Sequence, residues 1–270
     1  GPLRRVADGG RMAPCVGVPL SFLAPALPGG VEAPVLTDAQ YCAALAAALL
    51  VGYAVLRADV DRRLGVDHPK RMSARSWCLT LLCSPFMFAA AVPGLIYAIQ
   101  EDWTEEWAHA ETPLSRATVM GFVVYLYVDL IVGFIDYREQ VDIASGWIHH
   151  IMYIGMLSVV CWEHLTQGFL PFLLEELSTV VLALGFMQFY RNDWLTGAVF
   201  FAVRVAFHVY MQWVWWRFVG VSKDLGWYYY LLTPAGFMNL NWFVAWARGQ
   251  LRRLRKSAET RRLAAQAKAD

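Results

Sequence analysis

The sequence is short of charge, and equally short of the residue types that build most soluble catalytic and metal sites. Asp, Glu, Lys and Arg make up 17% of the 270 residues, where an average soluble domain carries about 25%. The two signs nearly cancel, leaving a net charge of +1, so there is no global basic surface and no nucleic-acid partner is expected. The five cysteines are an odd number for a disulfide framework, and none forms a C-x-x-C pair. Cys42, Cys78, Cys83 and Cys161 lie in apolar runs and read as small core hydrophobes. Six histidines are too few for the repeated clusters of a membrane di-iron enzyme. A G-x-S-x-G nucleophile elbow is absent, as are a P-loop and a dinucleotide fingerprint. No internal repeat or low-complexity tract is present.

What the sequence has is apolar surface. Hydrophobic residues make up 58% and aromatics 14%, gathered in long runs separated by short polar loops. A spanning helix needs about 20 such residues. About seven stretches qualify, over 39–56, 76–98, 117–135, 145–162, 169–187, 195–218 and 227–247. The expected fold is therefore all-α: a polytopic membrane helical bundle. The run "VGVPLSFLAPAL" faintly resembles the apolar core of a signal peptide. Pro19 and Pro25 interrupt it and no clear A-x-A site follows, so no signal peptide is expected.

Loop charge gives an orientation. Loop 57–75 holds Arg57, Arg62, Arg63, Lys70, Arg71 and Arg75, whereas loop 99–116 holds Glu101, Asp102, Glu105, Glu106 and Glu111. Arg138, Arg191 and the basic tail from Arg248 fall on the side of the first loop. Lys and Arg mark the cytosolic face, so a luminal N-terminus and a cytosolic C-terminus are expected. The division that follows is a luminal segment over 1–38, a first span and basic cytosolic loop over 39–71, a main domain over 72–249 and a basic tail over 250–270. The tail presents Leu251 and Leu254 on one helix face, suited to anionic headgroups or to a plain cytosolic anchor. Trp213, Trp215, Trp216, Trp227, Tyr228, Tyr229 and Tyr230 read as an interfacial belt.

Ionisable groups at membrane depth cost about 2.5–3.5 kcal/mol each on insertion scales and normally face the bundle interior. This chain places Asp129, His149, His150, Glu175, Glu176, Arg204 and His208 within its spans, together with Ser178, Asn239 and Asn241. Adjacent helix residues diverge by about 100°. Only one of His149 and His150 is expected to face a cavity, the other packing against a helix, and the same limit applies to Glu175 and Glu176. Arg204 and His208 are four apart and share a face. Glu175 or Glu176 is the expected partner for Arg204, because a lone charge would not stay buried. Polar side chains from separate spans suggest one shared cavity that admits an amphipathic molecule. A mixed metal site of His149, His208 and Glu175 is conceivable on ligand chemistry, but no metal is expected. Asn239 and Asn241 also fit plain interhelical glue.

"DLIVGFIDYRE", "GWIHHIMYIG", "GFLPFLLEELST", "FFAVRVAF" and "NLNWFVAWARG" follow one another in this order. From Met72 to Gly249 the chain resembles the TLC domain (named for the TRAM, Lag and CLN proteins), most closely its smaller members with "ELST" after a double His. The resemblance implies a multi-helix bundle in the endoplasmic reticulum or another endomembrane. It also implies a distant relation to ceramide synthases, which pass a fatty acyl group from acyl-CoA to a sphingoid base. The double His of that signature stands here at His149 and His150. Its later His-Asp is replaced near Glu175 and Glu176, with Ser178 and Thr179 beyond, and Tyr153 stands where a Thr belongs.

The first expectation is a protein that binds, senses or handles a sphingolipid or fatty-acyl lipid, contributing to lipid homeostasis. Its cavity would be lined by Asp129, Glu175, Glu176, Ser178, Arg204, His208, Asn239 and Asn241 beside the two histidines. The alternative is an N-acyltransferase with His149 and His150 as catalytic groups and acyl-CoA as co-substrate. Glu175 or Glu176 would then orient a ring, and Arg138 and Arg191 would rim a cytosolic opening for CoA phosphate. No cofactor is expected in either case. Membrane lipids are the expected partners, and a homo-oligomer is compatible. A third reading makes the polar residues structural staples only.

Overall fold

A computed structural model describes residues 18–19, 35–223 and 225–266. Most of the segment expected to be luminal, including the signal-like run apart from Val18 and Pro19, lies outside the described residues. Two short strands, β1 (Val18–Pro19) and β2 (Val35–Leu36), pair antiparallel with Val18 opposite Leu36. Nearly all the rest is helix.

Helix α1 (Asp38–Leu64) starts at Thr37, whose hydroxyl accepts from Gln40 N while the Gln40 side chain returns to the Thr37 backbone, a reciprocal cap. It continues well past the expected end at 56. No breaker intervenes before Gly65 (φ 79°), and Asp59 bonds Arg62 and Arg63 at 2.6 and 2.7 Å across its last turns. After α2 (Arg71–Arg75) comes α3 (Cys78–Gln100), which carries Pro85 and Pro93 within it. Short α4 (Glu105–His109) leads to α5 (Pro113–Asp136), again opened by a reciprocal cap at Thr112 and a proline in the first turn.

The second half of the bundle is less regular. A π-helical turn, Ile143–Ile148, feeds α6 (His149–Trp162). Helix α7 (Thr166–Phe169) passes through a 3-10 stretch, Leu170–Glu175, into α8 (Glu176–Phe186). Helix α9 (Asp193–Phe200), capped by Asn192, passes through a second π-helical turn, Phe201–Ala206, into α10 (Phe207–Trp216). One long helix, α11 (Tyr228–Gln266), carries Pro234 and the basic tail without a break.

Among the described residues, five stretches are long and apolar enough to cross a membrane: Asp38–Leu64, Arg71–Gln100, Pro113–Asp136, Thr166–Phe186 and Asp193–Trp216. The two other expected spans are helical but fall short in different ways. Gly146–Trp162 is apolar and too short. Tyr228–Gln266 is long, but its Tyr, Trp and Asn residues dilute it.

Burial is inverted relative to a soluble protein. Phe86, Ile135, Trp162 and Phe237 are exposed, while Arg75, Glu175, Glu176, Arg204, His208 and Asn239 are buried. Large apolar side chains outside and ionisable ones inside suit hydrocarbon rather than water. The chain is an all-α integral membrane bundle.

Ion pairs fasten both ends. At the basic end Arg75 joins Asp61 and Asp136, with Tyr53 and Arg57 also on Asp136. Arg75 is therefore a buried staple and not a free loop charge. Beside it, burial and the Asp129 carboxylate push the Tyr137 phenol up. At the acidic end Arg116 joins Asp38 and Glu111 at 2.5 and 3.0 Å. The aromatic belt divides: Trp213, Trp216, Trp227 and Tyr230 are exposed, whereas Trp215 and Tyr228 are core residues 5.6 Å apart. Leu251 and Leu254 of the tail are exposed. The four described cysteines, Cys42, Cys78, Cys83 and Cys161, are free.

Candidate functional site

The irregular helical stretches are where the polar groups enter the bundle. Glu175 closes the 3-10 stretch and Glu176 opens α8. Arg204 sits inside the second π-helical turn. His149 and His150 follow directly on the first. Helical stretches wound off the α register recur at functional sites, because they re-aim side chains that regular winding would direct elsewhere.

One cluster is closed. Arg204 donates from Nε to Ser178 Oγ at 2.8 Å and from Nη2 to Glu176 Oε1 at 3.0 Å and Thr179 Oγ1 at 2.7 Å. Its Nη1 reaches Asn239 Oδ1 at 3.3 Å. The second oxygen of Glu176 accepts from Ser84 at 2.6 Å. Glu175 lies 2.6 Å from His208 Nδ1 and accepts from Asn239 Nδ2 at 3.0 Å. Ser178 also donates to the Glu175 carbonyl at 2.8 Å. Two carboxylates, one guanidinium and one imidazole thus meet in this cluster. Glu175, Glu176, Arg204 and His208 line one side of an otherwise largely apolar void of about 20 Å³, room for about one water molecule.

A second, larger cavity of about 370 Å³ lies beyond His149 and Arg204, which line both spaces. This volume falls within the range of small-molecule sites. Its walls mix polar and aromatic groups: Asp129, His150, Tyr125 and Tyr137 on one side, Phe200, Trp242 and Trp246 on another. His150 Nδ1 lies 2.8 Å from the Gly146 carbonyl, which can only accept, so Nδ1 carries the proton. His150 Nε2 lies 2.9 Å from Asp129 Oδ2, close enough for an ion pair but without the alignment of a hydrogen bond. Tyr137 donates to the other Asp129 oxygen at 2.6 Å. His149 is held by rings, with Tyr153 at 4.6 Å and Trp242 at 5.3 Å between centroids. Its Nδ1 is buried without a hydrogen-bond partner. An unpaired acceptor costs less than an unpaired N–H, which favours the proton on Nε2.

The expected residues thus divide. Asp129, His149, His150 and Arg204 line the larger cavity; Glu175, Glu176 and His208 line only the small one. Ser178 and Asn239 serve the closed cluster. Both histidines line the larger cavity, which corrects the expectation that one would turn away. The carboxylate at the histidine pair is Asp129, not Glu175 or Glu176, because the latter are bound to His208 and Arg204. Asn241 is exposed and outside the cavity; it sits about 200° round α11 from Asn239. Arg138 does not rim the cavity: its guanidinium lies over the Phe134 ring at 4.9 Å. Among the described residues no three His, Cys, Asp or Glu side chains gather as a metal site.

Sequence reading missed Ser84, Tyr125, Tyr137, Trp242 and Trp246. A signal existed for the last two, since Asn239, Trp242 and Trp246 are spaced three and four apart and share one face. Tyr125 similarly precedes Asp129 by four. No protein-family model matches the chain, and no curated protein matches it.

Proposed function

We propose that this membrane protein binds a lipid of the sphingolipid or fatty-acyl class in the cavity beside His149 and His150, and that it contributes to lipid homeostasis. The observation that carries this reading is the cavity of about 370 Å³ with two imidazoles and aromatic rings in its walls and an Asp129–His150 contact, inside an apolar bundle. A lipid hydroxyl, amide or amine meets donors and acceptors there, and its tail meets Trp242, Trp246 and hydrocarbon. An endomembrane such as the endoplasmic reticulum, with the basic end cytosolic, agrees with the TLC resemblance and the loop charges.

The test is to purify the full chain in mild detergent and identify bound lipids by mass spectrometry. One acyl lipid retained by the wild type, and lost from His149→Ala/His150→Ala, supports the reading. Absence of any retained lipid leaves the polar residues as helix staples.

A second reading is N-acyl transfer from acyl-CoA to a sphingoid base, favoured by two imidazoles on the wall of one cavity. In that reaction the amine nitrogen attacks the thioester carbonyl. The new C–N bond forms as the C–S bond breaks, an imidazole of the pair takes the amine proton, and the thiolate leaves and is protonated. Asp129 would balance the imidazolium charge. Incubation with acyl-CoA and a long-chain base, followed by product analysis, decides it: no N-acyl product from the wild type removes this reading.

A further inference from the structure

A third cavity, of about 310 Å³, opens beside the histidine cavity, and its chemistry is different. Its charged lining residues are Lys70, Arg191 and Arg253 against one carboxylate, Asp193: three positive charges and one negative. Gln188, which accepts from Lys70 Nζ at 3.2 Å, and buried Gln250 add amide groups to the same lining. Asp193 does not neutralise the site. It holds Arg191 Nε at 2.9 Å and pairs with Arg253 on its other oxygen, so one carboxylate gathers two guanidiniums that would otherwise repel each other.

The two cavities share Leu182, Thr196 and Trp246 as a common wall. Next to it, Trp77 of the histidine cavity stacks on Phe186 of the basic one at 4.5 Å with planes 3° apart. The Trp246 ring lies directly against Gly197, where any β-carbon would collide with it. The partition is therefore made of side chains, not backbone, and one of its rings depends on a glycine.

We infer that the basic cavity takes a phosphomonoester head, and that the lipid of the proposed function is an amphiphile bearing that head and spanning both spaces. This deepens that reading and rests on it. Two guanidiniums drawn together on one carboxylate, with the Lys70 ammonium on the same lining, match an oxyanion bearing more than one acceptor. The adjoining aromatic partition matches the apolar part that follows the head. The His149 cavity then meets the polar group beyond.

The test is equilibrium binding of tritiated dihexanoyl phosphatidic acid to the detergent-purified full chain, with dihexanoyl phosphatidylcholine and inorganic phosphate as competitors. Lys70→Gln, Arg191→Gln and Arg253→Gln are each expected to weaken binding about tenfold, the scale of one charge-assisted hydrogen bond. Asp193→Asn is expected to tighten it several-fold by releasing both guanidiniums, an effect that misfolding does not imitate. Competition by inorganic phosphate that fails against Arg191→Gln supports the head site and allows a water-borne ester. Competition by the acidic lipid alone supports it and places the source in the membrane. Equal competition by phosphatidylcholine, or an unchanged affinity for Asp193→Asn, overturns the inference. A lipid that co-purifies with the wild type and is still lost from His149→Ala/His150→Ala would leave the proposed function standing even then.

Discussion

The cluster around Arg204 and the cavity around His149 share two wall residues, yet they treat polar groups in opposite ways. In the first, Glu175, Glu176, Arg204, His208 and Asn239 bond to one another, beside a void of only about 20 Å³. In the second, the His150–Asp129 contact lacks the alignment of a hydrogen bond, and about 370 Å³ of space remains. A closed network of buried charge fixes how helices α3, α8, α10 and α11 meet. An unfinished one beside open space is a place where something else can complete the bonding. The two kinds of residue look alike in a sequence, since each is simply an ionisable group in an apolar run.

The largest expected effect separates them by stability. Arg204→Met leaves Glu176 buried and unpaired and is expected to cost about 3–5 kcal/mol, read as lost thermal stability in detergent. Arg204→Met/Glu176→Met is expected to recover most of that. If the single variant melts like the wild type, the cluster is not the structural half of the pair. Gly236 comes next: a β-carbon there would lie 2.9 Å from the His208 ring. Gly236→Ala is expected to cost about 1–3 kcal/mol by overpacking, measured by the same melt, and to be tolerated once His208 is shortened to Ala.

Smaller effects sharpen the contrast. Asn239→Ala removes bonds to Glu175 and Arg204 and is expected to cost about 0.6–1.7 kcal/mol, the span of interhelical hydrogen bonds in membranes. Asn241→Ala, on the exposed face, is expected to stay within about 0.5 kcal/mol. Equal losses for the two asparagines would contradict the assigned faces of α11. His150→Ala, at the open cavity, is expected to change stability by less than about 1 kcal/mol while removing bound lipid from the purified protein. A large loss of stability with lipid retained would reverse the roles of the two regions.

Much of this was legible in the residues. The helical stretches, the Arg204–carboxylate pair and the proximity of Arg204 to His208 follow from run length, the cost of a lone buried charge and a spacing of four. Other parts were not. That Glu176 rather than Glu175 takes Arg204 depends on the 3-10 stretch ending at Glu175, which resets the angle between the two. That Asp129 serves His150 depends on α5 packing against α6. The basic cavity draws Lys70, Arg191 and Arg253 from three distant parts of the chain, so no local pattern could show it. Arg138, read from loop placement alone, went to Phe134 instead.

By itself the sequence determined the solvent of this protein: long apolar runs with little charge can bury their surface only as helices in hydrocarbon, where backbone groups must be satisfied within each segment. It also determined which side chains are too polar to face that hydrocarbon. Only the tertiary structure decided which of them close on one another and which face empty space. That choice lies in the helix crossings and in three stretches wound off the α register, and these are set by packing between segments far apart in the chain.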